Sequence, residues 1–153
     1  MIEVQDEIYK RLQDYTPLNN LLARYKTFQG SDLTESAIYT DIPQAEFSED
    51  DSFFPYLMIG NDDINQFDTD TSDGFDFDLS IHAWTRGNKV GGYISPKRQA
   101  KQIAEKIRDA LHQHELNLTE SDLILLHFKS VNFIQEPDGK TYHAALRFRL
   151  LND

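Results

Sequence analysis

The oxygen-rich segment from Asp68 to Gly74 has the residue types that could bind a metal ion. It reads Asp-Thr-Asp-Thr-Ser-Asp-Gly, and Ca²⁺ prefers alternating carboxylate and hydroxyl oxygens of this kind. An EF-hand loop requires Gly at its sixth position and Glu at its twelfth. Counting from Asp68, those positions hold Asp73 and Leu79. We therefore expect a solvated turn and no metal or other cofactor, with a weak divalent-ion site as the alternative.

The histidines are the next residues that could carry chemistry. His112 and His114 are two residues apart at a predicted helix end, so their side chains point to different sides rather than converging on a metal. His82 and His143 each fall on a predicted strand and could be neighbours across the sheet. We interpret both as residues of a polar sheet face rather than as metal ligands or catalytic groups.

Nucleophile motifs are absent from the sequence. No Gly-x-Ser-x-Gly occurs, and the chain contains no Cys, which excludes thiol chemistry. The glycine-rich residues 89–92 precede a predicted helix and resemble a phosphate cradle, but Ser95-Pro96-Lys97 does not supply the Gly-Lys-Ser or Gly-Lys-Thr of a Walker motif. We predict an interaction loop and no enzyme activity. The interface residues that we expect there form the most basic patch of the chain, Arg86, Lys89, Lys97 and Arg98.

Charge is distributed unevenly along the chain. The 153 residues have a net charge of −11, and residues 27–85 contain 14 Asp or Glu and no Lys or Arg. Residues 86–153 contain 11 basic and 8 acidic residues. Such an acidic block repels nucleic acid. One interpretation of the acidic block is a surface that keeps the protein soluble. The other is a surface that avoids binding DNA or that docks against a basic partner.

Length and hydropathy bound the class of protein. The chain is long enough for one domain with a real core, spanning residues 1–153. The N-terminus lacks the pattern of a signal peptide, and no apolar run has the length needed to cross a membrane. We therefore expect a soluble protein without a membrane partner, made in a cytoplasm.

A strand from Asp73 to Thr85 is predicted to organise the fold. Its residues alternate strictly between apolar and polar, which is typical of a half-buried β-strand. The residues predicted to face the core are Phe75, Phe77, Leu79, Ile81 and Ala83. The residues predicted to face away are Asp76, Asp78, Ser80, His82 and Trp84.

The remaining elements are predicted around this strand. Helical spacing of apolar residues indicates a helix over 2–14, a short second helix from Thr16-Pro17 to about residue 25, and a long helix over about 96–114. The sheet and long helix occupy about 37–151. Besides the strand from Asp73 to Thr85, the strands of the sheet are predicted at 37–42, 53–60, 125–135 and 141–151, with a hairpin turn at 137–140. We predict that His127, Lys129, Val131 and Phe133 share one side of their strand. The fold class is α+β, a mostly antiparallel sheet packed by the long helix and the N-terminal helices on one face.

The order and spacing of several short motifs resemble a known family. The motifs are Ile38-Tyr39 before Pro43, Phe54-Pro55-Tyr56-Leu57-Met58-Ile59-Gly60, Asp73-Gly74 leading to Ile81-His82-Ala83-Trp84-Thr85, a helix with Ile103, Ile107 and Leu111, and Pro137-Asp138-Gly139-Lys140-Thr141-Tyr142-His143 leading to Leu146-Arg147-Phe148. Nearly the whole chain resembles the tail completion, or head–tail joining, proteins of long-tailed phages, which also occur in prophages and gene transfer agents.

The resemblance implies a structural role in the virion. It implies a tail-terminator-like α/β sandwich whose copies cap the head-proximal end of the tail tube as a ring, usually of six. The implied partners are the chain itself, the tail tube protein and the head connector or stopper, while DNA passes through without specific binding. The acidic residues expected to face the lumen or a partner are Asp62, Asp63, Asp68, Asp70 and Asp73. Two alternatives are another neck or minor tail component, and a small-molecule or divalent-ion-binding module.

Overall fold

A six-stranded mixed sheet with helices on one face forms the body of the protein. The computed structural model describes residues 2–26, 32–40, 54–60, 76–87, 94–112, 115–116 and 124–152. In those ranges the helices are α1 (Ile2–Asp14), α2 (Thr16–Asn19) and α3 (Pro96–Leu111). The strands are β1 (Arg24–Lys26), β2 (Asp32–Ser36), β3 (Ile38–Tyr39), β4 (Tyr56–Gly60), β5 (Asp76–Thr85), β6 (Glu115–Leu116), β7 (Ile124–Gln135) and β8 (Tyr142–Asn152).

The strand order is β3-β4-β5-β8-β7-β6, and β1 and β2 form a separate two-stranded sheet. Within the six strands only β3 and β4 pair in parallel. The sheet is therefore mostly antiparallel, as predicted. β4 and β5 pair in the antiparallel direction. None of the described helices is long and apolar enough to cross a membrane.

β5 lies between β4 and β8 and places its apolar row in the core. Leu79, Ile81 and Ala83 are at most 3% exposed, which confirms their predicted side. Phe75 and the side chain of Phe77 lie outside what the structure describes. The opposite row is half-exposed at Asp78, His82 and Trp84, whereas Ser80 is 9% exposed.

α3 covers the apolar face of the sheet. Its buried stripe is the predicted one, and it joins the apolar residues of α1 in a single core cluster. The Ser95 hydroxyl accepts a hydrogen bond from the Arg98 N–H at 3.2 Å, and Pro96 opens the helix as the sequence indicates. The helix ends at Leu111, three residues before the predicted end. The stripe consists of Ala100, Ile103, Ala104, Ile107, Ala110 and Leu111.

The predicted second helix is wrong in length. α2 ends at Asn19, and residues 24–26 form β1 instead of continuing the helix. The reason is that this turn closes α1: the Asn19 amide donates to the carbonyls of Leu12, Gln13 and Tyr15 at 3.2, 2.6 and 3.0 Å. The carbonyls of Leu12 and Gln13 are among the last four of α1, which lack partners within the helix.

The predicted facing of β7 is also wrong in part. A β-bulge shifts the register between Phe128 and Ser130, so the side chains exchange sides at Lys129. Phe128 pairs with Phe148, and Val131 with Leu146, which places both on the core face. His127 pairs with Arg149 and lies on the opposite face. His127 and Lys129 therefore do not share a side with Val131 and Phe133.

The strand ends differ from the prediction by small amounts. β3 consists of only two residues, Ile38–Tyr39, rather than 37–42. β4 begins at Tyr56, directly after Pro55, whose peptide bond with Phe54 is cis. Since Pro55 lacks an N–H, it stands just outside the ladder, where that loss matters least.

Candidate functional site

Arg86 follows β5 and is enclosed rather than exposed. Its side chain is 4% exposed. The guanidinium lies over the Phe54 ring at 4.1 Å, donates from Nε to Thr141 Oγ1 at 2.9 Å, and approaches Asp138 Oδ2 at 3.6 Å. Arg86 therefore joins β5 to the β7–β8 turn. This corrects its predicted place in an exposed basic patch, because a buried guanidinium is held by charge pairing and aromatic stacking.

Asp138 organises the turn that Arg86 contacts. Oδ1 accepts the N–H groups of Lys140 and Thr141, each at 2.9 Å, and Oδ2 accepts the Thr141 hydroxyl at 2.6 Å. The hydrogen bond from Thr141, followed by those from the backbone and the charge of Arg86, lowers the pKa of Asp138 to about 2. Gly139 has a φ of +76°, a conformation that costs glycine little. The predicted hairpin turn is confirmed, with Asp138 as its centre.

The other predicted interface residues fall into two groups. Lys97 and Arg98 occupy the first turn of α3 and are exposed. Lys89 lies outside the described residues, as do all five acidic residues predicted to face a lumen or a partner. The oxygen-rich segment 68–74 lies outside them too.

A row of stacked rings occupies the sheet face opposite α3. Trp84 stacks on Tyr56 with centroids 5.3 Å apart, and on His143 with centroids 4.4 Å apart. His82 lies 4.9 Å from His143 between ring centroids. Tyr56 belongs to a second, smaller apolar cluster with Tyr39 and Phe54. Aromatic pairs of this kind stabilise a sheet by about 0.5–1.5 kcal/mol each.

The two histidines are neighbours across the sheet, as the sequence suggested. His82 Nδ1 and His143 Nε2 are 2.8 Å apart, and His143 Nδ1 is 3.3 Å from Glu136 Oε1. Burial, followed by the charge of His82, lowers the pKa of His143 to about 4. In the His82–His143 pair one ring nitrogen donates a hydrogen bond and the other accepts it. Among the described residues no group of three or more His, Asp or Glu could hold a metal ion.

A groove between α3 and β7 is the site that sequence reasoning missed. Its volume is about 710 Å³. Phe128, Val131 and Phe133 contribute to its apolar floor. Its charged rim on α3 carries both signs, from Lys101, Glu105, Arg108 and Asp109. Lys101 Nζ lies 6.0 Å above the Phe133 ring and Arg108 Cζ 4.8 Å above the Phe128 ring. The sequence signal was the three-residue step from Phe128 to Val131, which indicates a bulge within an alternating strand.

The family model for tail completion protein gp17 matches residues 21–153. The chain belongs to this family. It is thus a structural tail protein, which confirms the resemblance found in its motifs. No curated protein matches the chain.

A solved structure supports the fold of this tail completion family member. The chain is similar to a protein in the structure of the virion of a native gene transfer agent particle, with a TM-score of 0.65 and 20% identity. The match covers 98% of this chain and 94% of that one. At this identity the likeness shows the α+β fold, as predicted. For a structural tail protein, the surfaces that matter are those that contact other proteins of the tail or head.

Proposed function

We propose that this tail completion protein caps the head-proximal end of the tail tube as a ring, usually of six copies, and joins the tail to the head connector. The observation that carries the proposal is the family match over residues 21–153. A ring requires two different surfaces on each copy, which meet head to tail. The six-stranded sheet has two different ends, with β3 at one and β7 and β6 at the other.

The charges of the chain support this arrangement. Lys97 and Arg98 on α3, together with Lys89, are proposed to contact an acidic surface of the neighbouring copy or of the connector. Arg86 is not part of this contact, since its guanidinium is buried. The acidic residues between Asp62 and Asp73 are proposed to face the lumen or a partner. An acidic lining lets DNA pass without specific binding, because affinity for DNA comes mainly from phosphate contacts with Lys and Arg.

Electron microscopy of particles made without this protein tests the proposal. Filled heads beside unattached tails, or tails of abnormal length, are expected. Adding the purified protein back should restore joined particles. Normal virions in its absence would overturn the proposal.

A binding assay separates tail completion from another neck component. Isolated heads and isolated tails are each incubated with the purified protein and sedimented. Binding to tails is expected. Binding to heads alone would identify a head-side component and contradict the proposal.

A further inference from the structure

β7 has an outer edge that the rest of the described chain leaves unpaired. β6 pairs only with residues 124–125, and His112 Nδ1 accepts the Phe128 N–H at 3.1 Å. Beside residues 130–135, no described strand lies on the outer side of β7. The backbone groups along such an edge can pair with a strand from another chain.

The sequence of this free edge suits contact with a second copy of the same chain. Residues 130–135 read Ser-Val-Asn-Phe-Ile-Gln and include no charged residue, Pro or Gly, although edge strands that stay single are commonly protected by Lys or Pro. Ile134 on this edge is 47% exposed. Each copy carries a net charge of −11, so an uncharged edge is a place where two copies can meet without bringing like charges directly opposite each other.

Pairing of β7 with itself is antiparallel about a two-fold axis, and the side chains select its register. Opposite residues of an antiparallel pair lie on the same face of the sheet. An axis at Asn132 places Val131 opposite Phe133 of the second copy, and Phe133 opposite its Val131. Aromatic and β-branched side chains pair favourably, and both pairs extend the apolar floor of the groove across the contact. An axis at Phe133 would instead place Val131 opposite the polar Gln135.

Two contacts determine how α3 lies along β7. Lys101 Nζ lies 6.0 Å above the Phe133 ring, and Arg108 Cζ lies 4.8 Å above the Phe128 ring. α3 therefore runs antiparallel to β7, with Lys101 at the level of Phe133. Four helical residues rise about 6 Å and a strand rises about 3.3 Å per residue. Glu105 is thus level with the strand about two residues before Phe133.

The two-fold axis brings opposite charges together on the rim of the groove. Lys101 of the second copy is level with its own Phe133, which lies opposite Val131, and this is also the level of Glu105 in the first copy. Each Lys101 therefore faces Glu105 of the other copy. Both side chains line the groove, and among the described residues neither has an ion-pair partner within 4 Å. The mixed charges of the rim thus complement a second copy of the same rim.

We propose that β7 pairs with β7 of a second copy in an antiparallel dimer with its two-fold axis at Asn132, and that this dimer holds the free protein before it reaches the tail. A two-fold contact closes with two copies, unlike the head-to-tail contact of a ring. The dimer covers the β7 end of the sheet, so a copy within it does not offer that end to a neighbour in a ring. The inference goes beyond the proposed function, and the dimer is measured on the free protein.

Cysteine cross-linking of the purified full-length protein tests the contact and its register, because the chain contains no Cys. In Asn132→Cys the two thiols lie directly opposite each other, with Cβ atoms about 5 Å apart, so mild oxidation should link two chains. The matched control is Gln135→Cys, which is exposed on the same edge but separated from its copy by about 20 Å along the strands. We expect covalent dimers to form at least about tenfold faster with Asn132→Cys, since proximity raises the effective concentration.

Charge exchange tests the ion pairs across the axis. Lys101→Glu alone and Glu105→Lys alone each place like charges opposite each other, and each should raise the dissociation constant of the dimer about tenfold, as measured by analytical ultracentrifugation. Glu105→Lys also lowers the net negative charge, so overall repulsion does not explain its weaker dimer. An equimolar mixture of the two variants should recover dimers, because the acidic rim of one chain then faces the basic rim of the other. Variants that fold in urea-unfolding controls but do not recover on mixing would contradict the contact.

The remaining outcomes separate this inference from the proposed function. Free protein that stays monomeric at every concentration, or that cross-links through residue 135 and not through residue 132, would overturn the dimer. Hydrogen exchange that shows protection of residues 130–135 only after tails are added would assign the edge to a strand of another protein, and would also overturn it.

The holding role is tested on tails that lack the protein. The oxidised Asn132→Cys dimer should join fewer tails to heads than the same sample after reduction. Equal joining by both samples would refute the holding role. Failure of the wild-type protein in this assay would count against the proposed function alone.

Discussion

At the scale of single residues, Arg86 acts as a structural cation. Its guanidinium contacts Phe54 before β4, and Thr141 and Asp138 in the β7–β8 turn, which are two distant parts of the chain. We expect Arg86→Ala to lower the free energy of unfolding by about 3 kcal/mol, because it leaves Asp138 without its cation and opens a buried space. Urea unfolding measures this effect. The matched control Arg98→Ala, at an exposed position, should change stability by about 0.5 kcal/mol or less. Equal effects would contradict the structural role.

A second single residue, His143, makes the stability of the fold depend on pH. Its pKa is lowered to about 4 by burial and by His82, whereas the unfolded chain binds a proton near pH 6.5. Above pH 6.5 both states are neutral and the group contributes nothing. As pH falls from 6.5 to 4, only the unfolded state gains the proton, so stability decreases by about 3 kcal/mol.

The measurement compares urea unfolding of the wild type and of His143→Gln at pH 7 and pH 4.5. The wild type should lose more stability across this interval. NMR titration of the imidazoles supplies a direct readout, and a His143 that protonates near pH 6.5 would refute the expectation. The 3.3 Å contact with Glu136 is too long to offset burial.

At the scale of elements, α2 stabilises α1 through one side chain. The Asn19 amide donates to the carbonyls of Leu12 and Gln13 at the end of α1 and to that of Tyr15 just after it. Asn19→Ala should therefore lower the free energy of unfolding by about 1–2 kcal/mol. Asn20→Ala is the control, since Asn20 is the exposed neighbour. Thermal unfolding followed by circular dichroism distinguishes the two. A similar melting temperature for both variants would show that the amide does not act as a helix cap.

The elements also show which features a sequence can predict. The row Leu79, Ile81 and Ala83 and the stripe of α3 were predictable because local periodicity determines which side is buried. The burial of Arg86 was not predictable, because its partners lie about 30 and 50 residues away in the sequence. A basic residue followed by a glycine-rich segment is also typical of an exposed loop. The facing of His127 was missed because a bulge reverses alternation after one residue.

The candidate site shows the same division between local and distant information. Lys97 and Arg98 were found from composition and lie exposed on α3. The groove beside β7 was not found, because it forms where a helix lies over a strand that follows it by some 20 residues. The only sign of the groove in the sequence was the three-residue step between the apolar residues Phe128 and Val131.

At the scale of the whole molecule, assembly must overcome charge repulsion between copies. Each chain carries a net charge of −11, so ring formation should be weak near 10 mM salt, where the Debye length is about 30 Å, and stronger near 150 mM, where it is about 8 Å. Salt screens the repulsion between distant like charges, while it weakens apolar contacts between copies little.

Light scattering across this range of NaCl concentration measures the effect. The control chain carries Asp6→Asn, Glu7→Gln and Asp14→Asn, all on α1, which changes the net charge to −8. It should assemble at lower salt than the wild type, because each pair of copies repels less. Assembly that does not depend on salt in either chain would show that net charge does not limit ring formation.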